Sequence, residues 1–309
     1  MTAVNDICRV TDLDREICWH CQSKAETPEP EVTAPTEPGV YGDIPEAVYH
    51  ADRGSLSHSG ALKLLPPSCP AKFKESLDAP PEHQDYFDFG HAAHALVLGT
   101  GLEIVEVKAK DWRTKAAQAE KTAIHVEGKV PLLTADLKAV RTMAWKVREH
   151  SLASELLSNG QAEMSLYWTD PATWTRLRAR IDWMTQPGGR LTFVDYKTTT
   201  SASPRPFSSS AHKYGYHQQA AWYTAAAREL KLSDDPRFLF IAQEKEPPYL
   251  VTVHEYGPED IAIGNRLNRR AIEIYAKCEA TGEWPGYGDT IHPMRLPYWA
   301  RYDSQEAGQ

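Results

Sequence analysis

The segment Leu191-Thr-Phe-Val-Asp195-Tyr-Lys197-Thr198 places a carboxylate and an ammonium one residue apart. It is rich in β-branched and aromatic residues and reads as a strand. Alternation then puts Asp195 and Lys197 on one face and Val194 and Tyr196 on the other. Burying such a pair among apolar neighbours is costly, and a divalent cation together with a phosphate would compensate it. Taken alone, Asp-x-Lys favours a plainer reading, a weak surface ion pair on an edge strand. The case for chemistry depends on what else the chain supplies.

A second carboxylate, Asp182, lies late in Thr175–Met184, where alternation sends Arg176, Arg178, Arg180 and Asp182 one way. Leu177, Ala179, Ile181 and Trp183 are expected on the other face. Asp182 and Asp195 offer the hard oxygen ligands that Mg²⁺ takes, with Mn²⁺ as a substitute. The backbone carbonyl of Tyr196 is a natural further ligand. Phosphodiester cleavage needs an activated water and a stabilised leaving oxygen, which one or two such metals supply. Lys197 would orient or deprotonate the water, or neutralise transition-state charge. Arg176, Arg178 and Arg180 lead toward Asp182 and suit DNA phosphate contacts, which position a duplex without reading its sequence. The alternative is an exposed arginine row on a sheet face.

These residues need elements to hold them. Ala162–Trp168 reads as a strand carrying Glu163, which is either a further metal ligand or an exposed strand residue. Turn signals at Thr169-Asp170-Pro171 and Pro187-Gly188-Gly189 join the three strands into an antiparallel meander. Upstream, Phe87–Gly99 reads as a helix whose Gly90, Ala92 and Ala93 permit close packing. His94 shares a face with Gly90 and Leu98, and by itself reads as a satisfied core histidine. Downstream, a polar Ser/Pro loop over 199–211 precedes a helix His212–Leu230, with Gln219 and Tyr223 one turn apart.

The remaining elements follow from caps and periodicity. Leu56–Leu65 is a short helix with Ser57 or Ser59 as N-cap, stopped by Pro66-Pro67. Ile104–Val107 is a strand, and the basic stretch from Lys108 to Lys121 is a solvated face or a phosphate track. A helix capped by Thr134 runs to about His150, burying Leu137, Val140, Ala144 and either Val147 or Trp145. Strands Arg237–Ala242 and Tyr249–Glu255 precede a last helix from Pro258 to about Thr281. The aromatic, Pro-rich stretch Trp284–Tyr302 is expected to pack on the domain surface.

At 309 residues with a net charge of −8, the chain can bury a sizeable core but cannot coat nucleic acid by bulk electrostatics. A local basic groove remains compatible with that charge. No apolar run approaches the ~20 residues of a membrane span, and Met1–His20 lacks the apolar core of a signal peptide. The expectation is a cytoplasmic protein with no membrane association. Five cysteines are too sparse for a disulfide framework. Cys18-Trp19-His20-Cys21 has the spacing of a zinc knuckle, and with Cys8 would hold a structural Zn²⁺. The other reading is free thiols in a mobile tail. Residues 22–40 are a Pro/Glu/Thr-rich linker. The expected division is therefore a tail and linker over 1–40, a catalytic domain over 41–300 and a disordered tail over 301–309.

In order along the chain, these pieces resemble the PD-(D/E)XK nuclease superfamily, and within it the RecE-type exonuclease (exonuclease VIII) branch. Gly90-x-Ala92-x-His94-x-Leu96-x-Leu98 resembles the branch's helix histidine motif. Arg180-Ile181-Asp182 matches the first metal aspartate, and Val194-Asp195-Tyr196-Lys197-Thr198 the Asp-x-Lys signature. Tyr216–Tyr223 resembles the Gln-x-x-x-Tyr helix motif, and Glu163–Trp168 and Ala242–Pro248 are also similar. The resemblance spans about residues 41–300. It implies an α/β PD-(D/E)XK core, a mixed sheet with an antiparallel meander flanked by helices. It implies His94, Asp182 and Asp195 as metal residues, with Lys197, Gln219 and Tyr223 completing the catalytic set. It also implies Mg²⁺-dependent 5′→3′ digestion of duplex DNA ends beside a single-strand annealing (RecT-like) protein, in phage or prophage recombination. The branch's ring oligomers, with DNA threaded through a channel, imply a homo-oligomer, a ring tetramer being the expected form. Asp195 departs from the Glu-x-Lys of the superfamily's name, and the cysteine-bearing tail has no counterpart in the resemblance. A RecB-like single-strand, flap or internal nuclease and a catalytically idle DNA-binding module stay open as alternatives.

Overall fold

The computed structural model describes residues 33–78 and 85–296. Cys8, Cys18, Cys21 and the 301–309 tail lie outside the described residues, so the zinc reading is untouched. The strands are β1 (Gly39–Tyr41), β2 (Leu56–Ser57), β3 (Ile104–Val107), β4 (Val130–Leu133), β5 (Gly160–Thr169), β6 (Arg176–Thr185), β7 (Thr192–Thr199), β8 (Arg237–Glu244) and β9 (Val251–His254). The helices are α1 (Glu46–Ala51), α2 (His58–Leu64), α3 (Pro70–Asp78), α4 (Asp85–Leu98), α5 (Lys115–Val126), α6 (Thr134–Glu149), α7 (Ser151–Leu156), α8 (Pro204–Lys213), α9 (Tyr216–Glu229) and α10 (Pro258–Thr281). Two units are distinguishable. The smaller comprises described residues 33–36 and 43–52, including α1, and the larger comprises 37–42 with the described residues from 53 onward.

Local chemistry accounts for most element ends. The Ser57 hydroxyl accepts from the Gly60 amide and starts α2, and Thr114 does the same for α5 through Ala117. Pro258 and the acidic pair Glu259 and Asp260 open α10, and Gly282, at φ 72°, closes it. The segment 199–211, expected as a loop, instead contains α8, with Pro204 at its first turn. A left-handed Gly215 then separates α8 from α9, so the expected helix 212–230 is two helices.

In the larger unit the main sheet runs β1-β5-β6-β7-β8-β9, with β2 pairing β6 in parallel. β5, β6 and β7 form the expected antiparallel meander, and β8 joins β7 in parallel. β1 pairs with β5, so the sheet begins inside the stretch expected as linker. One core lies between the sheet and α2, α3, α9 and α10, around Leu166, Ile181, Phe193, Trp222 and Phe240. The other lies beneath α4, α6 and α7, around Ala93, Val140, Met143, Tyr196 and Ile241. Trp145 is not on the buried face of α6 and is half exposed. Within the basic stretch, Lys121 is buried beside Asp88 at 3.3 Å instead of lining a solvated face.

The meander departs from strict alternation at one point. Ile181 joins the first core, whereas Trp183 packs against the second, although residues two apart on a regular strand share a face. The position between them is Asp182. Opposite it in the β5–β6 register stands Glu163, whose φ of 54° interrupts the ladder. The expectation that Leu177, Ala179, Ile181 and Trp183 share one face therefore fails at its last member, beyond the point where Glu163 interrupts the ladder.

Helices α9 and α10 approach closely at Gly264, where a Cβ would overlap the His217 carbonyl and come within 2.8 Å of the Ala221 Cβ. In an ordinary helix Gly→Ala stabilises; here the overlap reverses the sign. Gly264→Ala is expected to destabilise the protein by about 2 kcal/mol in denaturant unfolding.

Candidate active site

The β6–β7 ladder runs Thr185↔Thr192, Met184↔Phe193, Trp183↔Val194 and then stops. The next positions in that register are Asp182 and Asp195, where the strands part. On the other side of the gap, β6 meets β2 only at Leu177 and Arg178. The carbonyls of β6 near the gap are taken by side chains of α9. Trp222 Nε1 donates to the Arg178 carbonyl at 3.0 Å and the Tyr223 hydroxyl to the Arg180 carbonyl at 2.8 Å. Tyr223, expected among the catalytic residues, is thus a support for the strand that carries Asp182.

The gap gathers the chemistry. Asp182 Oδ2 accepts from the Tyr196 amide at 2.9 Å, and the His94 Nδ1 lies 3.5 Å from the same oxygen. The His94 ring stands edge-on to Tyr196, 5.1 Å between centroids. Asp195 is buried. Gln219 Nε2 donates to its Oδ1 at 2.6 Å, and Lys197 Nζ lies 2.7 Å from its Oδ2. Lys197 also rests over the Tyr216 ring at 5.0 Å, a cation–π contact. The Asp195–Lys197 pair is therefore internal, with 5% and 23% of the two side chains exposed. At Tyr196, where the carbonyl was the expected ligand, the contact to the site is made by the amide.

Electrostatics decides which groups carry charge. Burial pushes the Asp195 carboxyl up to about 6; the Lys197 and His94 charges oppose that shift and the Asp182 charge adds to it. Burial also opposes the Lys197 ammonium, but Asp195 and Asp182 outweigh it and hold Lys197 above the usual lysine range. Two carboxylates therefore share a desolvated gap with one ammonium to balance them.

That donor set suits a hard divalent cation. Among the described residues, no three His, Cys, Asp or Glu side chains stand close enough to enclose a metal by themselves. Mg²⁺ does not require such an enclosure, being held by one or two carboxylates, waters and substrate phosphates. Asp182 and Asp195 would hold it, with His94 beside Asp182. Glu163 is half-buried across the ladder from Asp182 in the left-handed backbone region, a strained conformation of the kind that clusters at functional sites.

The arginine row does not line an open track. Arg178 is buried and donates to the carbonyl and hydroxyl of Ser55, which corrects its expected role as a phosphate contact. Arg180 donates to Ser165 Oγ at 3.0 Å, and Arg176 lies over the Tyr167 ring at 6.0 Å; both are half-buried. One neighbour of the site was not singled out from the sequence. Tyr216 precedes Gln219 by three residues, and this helical spacing was the available signal for it.

A split antiparallel meander with two aspartates and a lysine at the parting defines a PD-(D/E)XK nuclease-type domain. The chain belongs to the family described as a PDDEXK-like domain of unknown function (DUF3799), whose profile matches residues 57–297. No curated protein is significantly similar in sequence. A crystal structure of a candidate exonuclease from Eubacterium rectale shares the fold, with a TM-score of 0.53 and 13% identity over 79% of this chain and 92% of that one. The crystal structure of SSO0001, at a TM-score of 0.27 and 12% identity over 61% and 85% of the two chains, is too distant to inform the site. Family and fold support a nuclease, and PD-(D/E)XK nucleases generally use divalent metals. No helix among the described residues is long and apolar enough to cross a membrane.

Because Asp195 keeps its proton up to about pH 6, a cation that binds the carboxylate must displace that proton in more acid solution. Mn²⁺ affinity is expected to be level above pH 7 and to fall about tenfold per unit well below 6. Calorimetry in buffers of different ionisation enthalpy should register up to one proton released per binding event in the acid range.

Proposed function

We propose that the protein is a Mg²⁺-dependent exodeoxyribonuclease of the RecE type, degrading linear duplex DNA 5′→3′ to leave 3′ single strands for annealing. The observation that carries this reading is the gathering of Asp182, Asp195 and Lys197 where β6 and β7 part. A bound Mg²⁺ would polarise the scissile phosphate and lower the pKa of an attacking water. Gln219 fixes the rotation of Asp195, and the Tyr196 amide fixes Asp182. In the metal-free protein the two carboxylates hold Lys197 above the usual lysine range. As an ammonium it would neutralise charge at the phosphate, and as a free amine it would serve as general base. Duplex ends as substrate, a single-strand annealing protein as partner, a ring-shaped homo-oligomer and a phage recombination role belong to the same reading.

End-labelled linear duplex incubated with Mg²⁺ tests it, with 5′ and 3′ labels reporting polarity. Degradation should stop with EDTA, and Asp195→Asn or Lys197→Met should slow it by about a thousandfold. Closed circular DNA should stay intact; cutting of the circle would favour an internal nuclease. Undiminished degradation by Asp195→Asn would sink the assignment.

A further inference from the structure

The arginine row turns inward, with Arg178 on Ser55 and Arg180 on Ser165, so substrate contacts beside the gap have to come from another element. The corner between α8 and α9 offers one. His212, Lys213 and Tyr214 are exposed there, Tyr214 at 54%. Gly215 follows at φ 69° and is buried, so close to α2 that a Cβ there would stand 2.6 Å from the Leu62 Cδ2. The turn that displays Tyr214 is therefore seated against α2.

Tyr214 is also the outer end of a series of rings that begins at the site. Phe240 is buried and stands opposite Asp195 in the β7–β8 register. Its ring stacks with Tyr216 at 5.2 Å and an interplanar angle of 16°, and Tyr216 stacks with Tyr214 at 5.9 Å and 27°. Tyr216 is the link, and it also carries Lys197 Nζ over its ring at 5.0 Å. Lys213 Nζ lies 5.6 Å from the centre of the Tyr214 ring. An exposed ring that ends such a series is built to stack a further flat ring, and a nucleobase brings a phosphate for the neighbouring ammonium. We propose that Tyr214 is a stacking platform for an unpaired nucleobase flanking the scissile phosphate, with Lys213 as counter-charge to the adjoining phosphate. The proposal rests on the nuclease reading of the site. It implies a frayed duplex end held one ring away from Lys197, and it suits digestion without sequence preference, because every base has a face to stack.

The test is a ring–base cycle, read by fluorescence anisotropy with the full chain and a labelled hairpin duplex that has one open end. EDTA keeps the DNA intact; if it also abolishes binding, Ca²⁺ replaces it in every arm. Tyr214→Ala should weaken binding about tenfold, and Tyr214→Trp should stay within about twofold of the unaltered protein. On the same hairpin with abasic terminal nucleotides, Tyr214→Ala should cost less than about twofold, because the stacking partner is gone. Lys213→Ala should weaken binding to both hairpins alike and lower the salt slope by about one. An unchanged slope would overturn the phosphate role. Equal weakening on both hairpins by Tyr214→Ala would mean a packing defect and overturn the stacking role, as would no weakening on either. If Tyr214→Ala does not fold, Tyr214→Leu, which keeps apolar bulk without a ring, enters the same cycle. No binding of either hairpin by the unaltered protein would overturn the nuclease reading and this proposal together. Normal binding that is insensitive to Tyr214 would overturn this proposal alone.

Discussion

The separation of β7 from β6 after Trp183↔Val194 is the constraint on which the site depends. Parting two strands leaves backbone groups that must find partners, since an unpaired buried amide or carbonyl costs as much as a lost hydrogen bond. The protein meets this demand with side chains. Asp182 takes the Tyr196 amide, and Trp222 and Tyr223 serve the carbonyls of Arg178 and Arg180. The same substitutions that satisfy the backbone fix the carboxylate at the mouth of the gap and anchor α9 beside it. Gln219, one turn before Tyr223 on that helix, then reaches Asp195.

Charge in the gap is arranged in tension. Burial and the proximity of Asp182 disfavour ionised Asp195, and one ammonium only partly compensates. Such a cluster is poorly stabilised by its own members, and a cation would relieve it. Asp88 with Lys121 shows a different arrangement: there a buried carboxylate meets a lysine at 3.3 Å and His125 at 3.1 Å. Those ion pairs brace α4 against α5.

Local pattern made much of this legible. The parity of Asp195 and Lys197, the meander, the helix of His94 and the face shared by Gln219 and Tyr223 are properties of short segments. Where reading failed, a distant residue had intervened. Arg178 looked like a phosphate contact because its strand alternates, yet Ser55, far away in sequence, captures it. The Ser/Pro composition of 199–211 suggested a loop, although Pro204 is well placed to begin a helix and packing of Phe207 and Ala211 completes it. Trp145 and Val147 were interchangeable by periodicity, and the second core selects Val147.

By itself the sequence determined which residues could bind metal and phosphate, the strands and helices that bear them, and their order, because caps, turns and alternation act over a few residues. Only the tertiary structure decided that Ile181 and Trp183 enter different cores, that Tyr223 supports a strand, that Arg178 is internal and that Lys197 rests over the Tyr216 ring. Those outcomes depend on which buried polar groups meet across the sheet. That is settled by the satisfaction of hydrogen bonds between segments distant in the chain, which no local pattern encodes.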